Sequence, residues 1–214
     1  MEVKKISPPI NNFLQVRLDE KIIDYLWKII DLAKNKNVNH NSKLVGNISQ
    51  SLLLDDLDSF FYNSVCSPLT QLYRKNSPTQ DDPVSQNALF GPNTKLVLDK
   101  IWVNYQYQTE FNPYHDHTGV YSFAIWMKIP YDWDDQKKLP QFSDIKDNNI
   151  AAGCFEFEYS DILGSIMNYR YYLSPKYEGL MLLFPAKLRH CVYPFYGTDE
   201  PRISIAGNLS YLPS

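Results

Sequence analysis

The residues with the most chemistry in this chain of 214 residues fall in three short stretches. The first is Phe111-Asn-Pro-Tyr-His115-Asp116-His117-Thr-Gly119. On an extended strand, residues i and i+2 share a face with Cα atoms roughly 6.5–7 Å apart, so imidazoles at 115 and 117 can converge on one metal ion. The same alternation turns Asp116 away unless a bulge brings it round. Carried forward without a bulge, it puts Tyr121, Phe123, Ile125, Met127 and Ile129 on the histidines' side, as the apolar inward face. A single His-x-His is equally what two surface histidines at a strand end look like, so a third ligand has to come from elsewhere. In the second stretch, Phe184-Pro-Ala-Lys-Leu-Arg-His190-Cys-Val, a histidine begins a strand-like run after a proline turn. His115, His117 and His190 at one barrel mouth would make a three-histidine face suited to Fe(II), Zn or Ni, with positions left open for substrate.

The third stretch is Arg202-Ile-Ser204-Ile-Ala-Gly-Asn208-Leu-Ser210. Arg202, Ser204, Asn208 and Ser210 share one strand parity, and Ile203, Ile205 and Leu209 share the other. Such a strand buries its apolar side and offers a guanidinium, a hydroxyl and an amide to a cavity, a set suited to bidentate recognition of a carboxylate. The competing reading is a solvated outer face with an ion pair from Arg202 to Asp199 or Glu200.

The elements that must position these groups follow from periodicity. Met1 to about Val16 reads as an extended segment added to a sheet edge, interrupted by Pro8-Pro9. Asp19 caps a helix whose Ile22, Ile23, Leu26, Ile29, Ile30 and Ala33 recur at helical spacing, ended by the Lys/Asn-rich stretch from Lys34 to Lys43. A second helix spans about Leu54 to Tyr73, kinked or divided by Pro68. Asn76 to Asn93 is a polar loop. Seven short strands then follow: Leu96–Tyr107, Val120–Ile129, Ala151–Tyr159, Ile166–Leu173, Leu180–Phe184, Cys191–Tyr193 and Ile203–Tyr211. That succession indicates an antiparallel sandwich or barrel with helices on one side. We expect a single domain over 1–214, with helical support over about 15–75 and a jelly-roll core over about 95–212. The polar stretch from Tyr131 to Asn149 is either a lid over the mouth or an ordinary insertion.

Composition narrows the partners. With 21 Lys+Arg against 24 Asp+Glu, the net charge of -3 lacks the electropositive footprint of a typical nucleic-acid binder. No apolar run reaches the roughly 20 residues that span a bilayer, and the start lacks the apolar stretch of a secretory signal, so no membrane partner and a cytoplasmic location are expected. Cys66, Cys154 and Cys191 are an odd number without a Cys-x-x-Cys pair, as expected of buried thiols.

His-x-His after Asn-Pro, Ser-Phe-x-Ile-Trp-Met-Lys-Ile-Pro, Phe-Pro-x-x-x-x-His-x-Val-x-Pro-Phe and Arg-Ile-Ser-x-x-Gly-Asn together resemble the 2-oxoglutarate/Fe(II)-dependent oxygenases, especially a group from marine tailed phages and bacteria. The resemblance covers about Ile101 to Tyr211. It implies a mainly β fold with α, a double-stranded β-helix (jelly roll) flanked by N-terminal helices, with Fe(II) at its mouth and 2-oxoglutarate as cosubstrate. It also implies decarboxylation to succinate coupled by O2 to hydroxylation of a small molecule or protein side chain, in the host cytoplasm if the gene is a phage's. By this likeness His115 and His190 take the places of the metal histidines, and Arg202 with Ser204 that of the Arg-x-Ser pair for the far carboxylate. Asn208, Tyr105 and Tyr121 are further candidates for cosubstrate binding. The family usually carries His-x-Asp or His-x-Glu where this chain has His117, so the third ligand is either His117 or, through a bulge, Asp116. A cupin-like three-histidine enzyme that does not use 2-oxoglutarate and a non-catalytic binding or virion-associated jelly roll are the alternatives. An exposed edge strand could support a homodimer.

Overall fold

The computed structural model describes residues 12–41, 45–76, 95–145 and 149–212. Its elements in chain order are β1 (Leu14–Arg17), α1 (Glu20–Lys36), β2 (Gln50–Leu53), α2 (Ser67–Asn76), β3 (Leu96–Gln106), β4 (Asn112–His115), β5 (Tyr121–Lys128), α3 (Trp133–Gln136), β6 (Cys154–Ser160), β7 (Ile166–Tyr172), β8 (Leu180–Pro185), β9 (Arg189–Val192) and β10 (Arg202–Tyr211). Two antiparallel sheets result, ordered β1-β8-β5-β10-β3-β2 and β4-β9-β6-β7. From β3 onward the chain passes back and forth between them, except that the hairpin β6–β7 stays in the smaller sheet, so that 3-10-5-8 faces 4-9-6-7, the interleaving of a double-stranded β-helix. The edge strand expected near the N-terminus is β1, on β8; residues 1–11 of that expectation lie outside the described residues. The loop expected from Asn76 to Asn93 falls almost wholly outside them too. β2 and β4 were not anticipated. Each has four residues, too few for a period to show.

Helix α1 begins where the Asp19 carboxylate accepts from Ile22 N–H at 2.9 Å, and ends at Asn37, which adopts φ 49° and donates to the Ala33 carbonyl. Its buried Ile22, Leu26, Ile29, Ile30 and Ala33 pack on the six-stranded sheet. The second helical segment is divided as expected near Pro68, and the device is a π-helical turn over Tyr62–Cys66 that precedes α2. Proline has no N–H to donate to the residue four back, and Ser67 N–H reaches five residues back to the Tyr62 carbonyl.

The six-stranded sheet therefore has two buried faces. Tyr121, Phe123, Ile125 and Met127 of β5 join the core shared with α1 and the π-turn, while Trp126, Phe155, Phe157, Leu182 and Phe184 fill the space between the sheets. This corrects the expectation that the parity of His115 and His117 runs on through Tyr121, Phe123, Ile125 and Met127. The strand does not continue: β4 belongs to the small sheet and β5 to the large one, and the chain crosses between them at 116–120, where Gly119 has φ +99°. The inward face of β5 is Ser122, Ala124 and Trp126 instead. Cys66, Cys154 and Cys191 are free and buried, as expected.

Candidate metal centre and cosubstrate cavity

β4 and β9 are neighbours, with His115 directly opposite His190. His117 lies just past the end of β4, in the crossing segment, where its N–H donates to the Ala186 carbonyl at 2.9 Å. The three side chains thereby meet, one ligand atom from each lying within 4.8 Å of the others. His117 Nε2 is 3.2 Å from His190 Nε2. Two backbone carbonyls set ring orientation: His115 Nδ1 lies 2.7 Å from Pro113 O and His190 Nδ1 lies 3.0 Å from Leu188 O. Carbonyls only accept, so both Nδ1 atoms carry the proton and both Nε2 lone pairs face the cluster.

Burial favours neutral rings throughout. Desolvation, with His115 next to it, pushes His117 down to about 4; desolvation lowers His115, and it holds His190, with both neighbouring imidazoles, well below its ordinary value. Converging neutral imidazole nitrogens held from behind by carbonyls are a donor set that fits a divalent transition metal. Asp116 lies outside the cluster: its carboxylate is paired with Lys187 Nζ at 2.9 Å on the rim.

The opposite face of the four-stranded sheet braces the same strands. The buried Glu156 carboxylate of β6 accepts from the hydroxyls of Tyr114 and Tyr193 and from Asn168, and pairs with Arg170. Tyr114 adjoins His115 in sequence, so this network ties the short edge strand β4 to its neighbours.

The histidines open on a cavity of about 320 Å³ between the sheets, also lined by Trp102, Asn104, Trp126, Phe184, Arg202 and Ser204. Its floor is a ladder of cross-strand rows on β3, β10 and β5: Lys100–Asn208–Ser122, Trp102–Ala206–Ala124, and Asn104–Ser204–Trp126. Arg202 opposes Gln106 at the end of the ladder. The Trp102 ring is 6.0 Å from that of His117, which sets the histidines near the alanine row. A larger cavity of about 770 Å³, sharing His40 and Lys100, lies on the far side of that row and holds none of the three histidines.

Arg202 is 1% exposed. It donates to the Tyr131 hydroxyl and the Gln106 carboxamide oxygen, and to the carbonyls of Tyr193 at 3.2 Å and Gly153 at 3.5 Å. The surface ion pair weighed in the sequence is absent among the described residues: Asp199 accepts from Gln108, and Glu200 pairs with Lys128. Arg202 is thus a buried cation whose partners are all neutral.

Two sequence expectations are corrected here. Tyr105 and Tyr121 stand on the other face of the sheet, in the core against the helices, where Tyr121 packs edge-on to Tyr73. They cannot reach a ligand between the sheets. Asn208 does line the cavity, but six residues of strand, roughly 20 Å, separate it from Arg202, too far for one five-carbon diacid to touch both. The stretch Tyr131–Asn149 is anchored elsewhere, through Gln136 on Tyr196 and Trp133 on Tyr172, and none of its described residues lines the cavity. Sequence reasoning missed His40, Lys100 and Asn104. The alternation Lys100-x-Trp102-x-Asn104-x-Gln106 against Ile101, Val103 and Tyr105 was the signal that could have found the last two.

The model of a family described as "Putative 2OG-Fe(II) oxygenase" matches residues 100–208, just over half of the chain. The chain belongs to this family. It is a 2-oxoglutarate-dependent dioxygenase, with Fe(II) as metal and 2-oxoglutarate as cosubstrate. Among solved structures the oxygenase resembles a prolyl-4-hydroxylase from Pseudomonas putida, with a TM-score of 0.54 and 11% identity over 94% of this chain and 93% of that one. An oxidoreductase of the 2OG-Fe(II) oxygenase family from Burkholderia pseudomallei gives 0.49 and 12%, over 92% and 84%. At 11% identity the likeness to the Pseudomonas putida enzyme is one of fold. No curated protein matches the sequence. No helix among the described residues is long and apolar enough to cross a membrane.

Proposed function

We propose that His115, His117 and His190 hold the iron, that Arg202 and Ser204 bind the far carboxylate of 2-oxoglutarate, and that the oxygenase hydroxylates a small molecule. The observation that carries the ligand assignment is the convergence of three imidazoles within 4.8 Å while Asp116 is engaged with Lys187. Iron and cosubstrate together supply an oxidant from O2, at the expense of decarboxylation to succinate. The chain's own residues do the rest. Pro113 and Leu188 carbonyls keep the ring protons off the Nε2 atoms. Phe155, Phe184 and Trp126 exclude water from the histidine end of the cavity. Arg202 supplies the charge at the other end. Its present acceptors are neutral, and a carboxylate, being the stronger acceptor, displaces one of them at a net gain. The cavity's size suits a small substrate beside the cosubstrate. Three reduced, buried thiols fit a reducing compartment.

Anaerobic Fe(II) titration tests the ligand set. His117→Ala is expected to lose stoichiometric binding and Asp116→Asn to keep most of it; the reverse pair of results would replace His117 by Asp116. Calorimetry tests the other end: losing one partner of a desolvated charge pair costs about 3–5 kcal/mol, so Arg202→Ala should weaken 2-oxoglutarate binding at least ~100-fold. Unchanged binding removes Arg202 from the site. Succinate formation separates this reading from a three-histidine enzyme that does not use the cosubstrate.

A further inference from the structure

The β3 side of the cavity is a graded polar wall. Lys100, Trp102, Asn104 and Gln106 share one face, each roughly 6.5–7 Å from the next. The lower two belong to the cosubstrate end: Gln106 accepts from Arg202, and Asn104 opposes Ser204. The upper two have no such assignment. Trp102 is 4% exposed, stands beside the metal histidines, and its indole Nε1–H has no hydrogen-bond partner. A buried N–H left unpaired is costly, so this one calls for an acceptor from a ligand. Lys100, one row above, is exposed, lines both cavities and forms no ion pair among the described residues. Opposite it, the Asn208 carboxamide oxygen accepts from Ser122 at 2.8 Å, which leaves its N–H groups for a ligand.

Charge points the same way. Besides the imidazoles, the charged side chains on the cavity lining are Arg202, Lys100 and Asp116, and Asp116 is already paired with Lys187. Three neutral ligands leave a divalent cation's charge undiminished, whereas a carboxylate ligand would cancel part of it. A dianionic cosubstrate offsets the metal, and Lys100 remains the cation of this lining that no carboxylate pairs among the described residues, although Asp55, Asp56 and Asp99 line the adjoining cavity.

We propose that the oxygenase takes an anionic substrate, whose carboxylate or phosphate oxygens are held at the mouth by Lys100, the Trp102 indole N–H and the Asn208 amide. An anion held between the row of Lys100 and that of Trp102 lies on the side of the cavity where the Trp102 ring is 6.0 Å from that of His117. This rests on the oxygenase reading of the cavity and adds the class of substrate to it.

The test uses the Zn(II)-loaded chain, saturated with 2-oxoglutarate, and reads the indole N–H signals in a two-dimensional proton–nitrogen spectrum. The chain has 4 tryptophans, and Trp102→Phe assigns the relevant signal. Acetate, inorganic phosphate and acetamide are titrated separately. Acetate or phosphate is expected to shift the Trp102 signal saturably, acetamide is not, and Lys100→Gln should weaken the response about tenfold. A response to acetate alone assigns a carboxylic acid and one to phosphate alone a phosphoryl compound; either upholds the proposal. It is overturned by equal response to acetamide, by an undiminished response in Lys100→Gln, or by no response to either anion. Binding of 2-oxoglutarate is measured first in the same sample by calorimetry. Its failure counts against the cosubstrate assignment alone, and the anion titration then proceeds on the Zn(II) form.

Discussion

At the residue scale, the proposed metal centre keeps three imidazoles neutral in a small volume. Backbone carbonyls take the Nδ1 protons of His115 and His190, and desolvation depresses all three groups, His117 to about 4. The consequence for the metal-free protein has a definite sign. An unfolded histidine titrates near 6.5, so below that pH the unfolded chain binds protons that the folded site refuses. Stability contributed by His117 is fully present above about 6.5 and is lost as pH falls from there toward about 4, and the lowered His115 and His190 act in the same direction. His117 contributes up to about 1.4 kcal/mol per pH unit across that window. Urea unfolding of the metal-free chain at a series of pH values should show this slope, and the His117→Ala variant should show a shallower one. A flat profile between pH 6.5 and 5 in the parent would contradict the neutral-ring description.

At the element scale, what the sequence made legible was whatever had a period or a spacing. Helix α1 announced itself through Asp19 and an apolar stripe at helical spacing, and the long strands β3, β5 and β10 through their alternation. The convergence of His190 on the His-x-His pair could be argued from ligand count. What was not legible was the sheet change between His115 and Tyr121. A strand pattern read through 116–120 gives a single parity, whereas a crossing resets it, and this misplaced Tyr121 by a whole face of the sheet; Tyr105, on β3, is set on that same core face by its own alternation with Asn104 and Gln106. Gly119 is the residue that permits the crossing. Its φ of +99° is one that side chains rarely adopt, and a Cβ there would meet the Leu209 carbonyl oxygen at 2.8 Å. Gly119→Ala should therefore cost about 1–3 kcal/mol and, because His117 lies two residues away, weaken metal binding as well. Thermal unfolding and Fe(II) titration of that variant measure the two effects. A variant that loses stability and keeps wild-type affinity would mean that the crossing does not set the position of His117.

At the scale of the whole molecule, the proposed metal ligands span a junction. His115 and His190 come from the small sheet, and His117 from the segment that climbs to the large one and is tied back to Ala186. The large sheet is stabilised on its other face by α1 and the π-turn, independently of any ligand. The small sheet rests on the aromatic layer and on Glu156. A metal bound by all three histidines therefore acts as a cross-link in the least helix-supported part of the fold, and because it binds the folded chain it adds RT ln(1 + [L]/Kd) to its stability. At a free metal concentration 100-fold above Kd that is about 2.7 kcal/mol. For a chain of this size, 1 kcal/mol moves Tm by about 2–4 °C, so loading should raise Tm by about 5–10 °C and chelation should reverse the rise. The same titration on His117→Ala should leave Tm nearly unmoved, while Asp116→Asn should behave as the parent does. A metal-dependent rise of equal size in His117→Ala would place the ion elsewhere in the molecule.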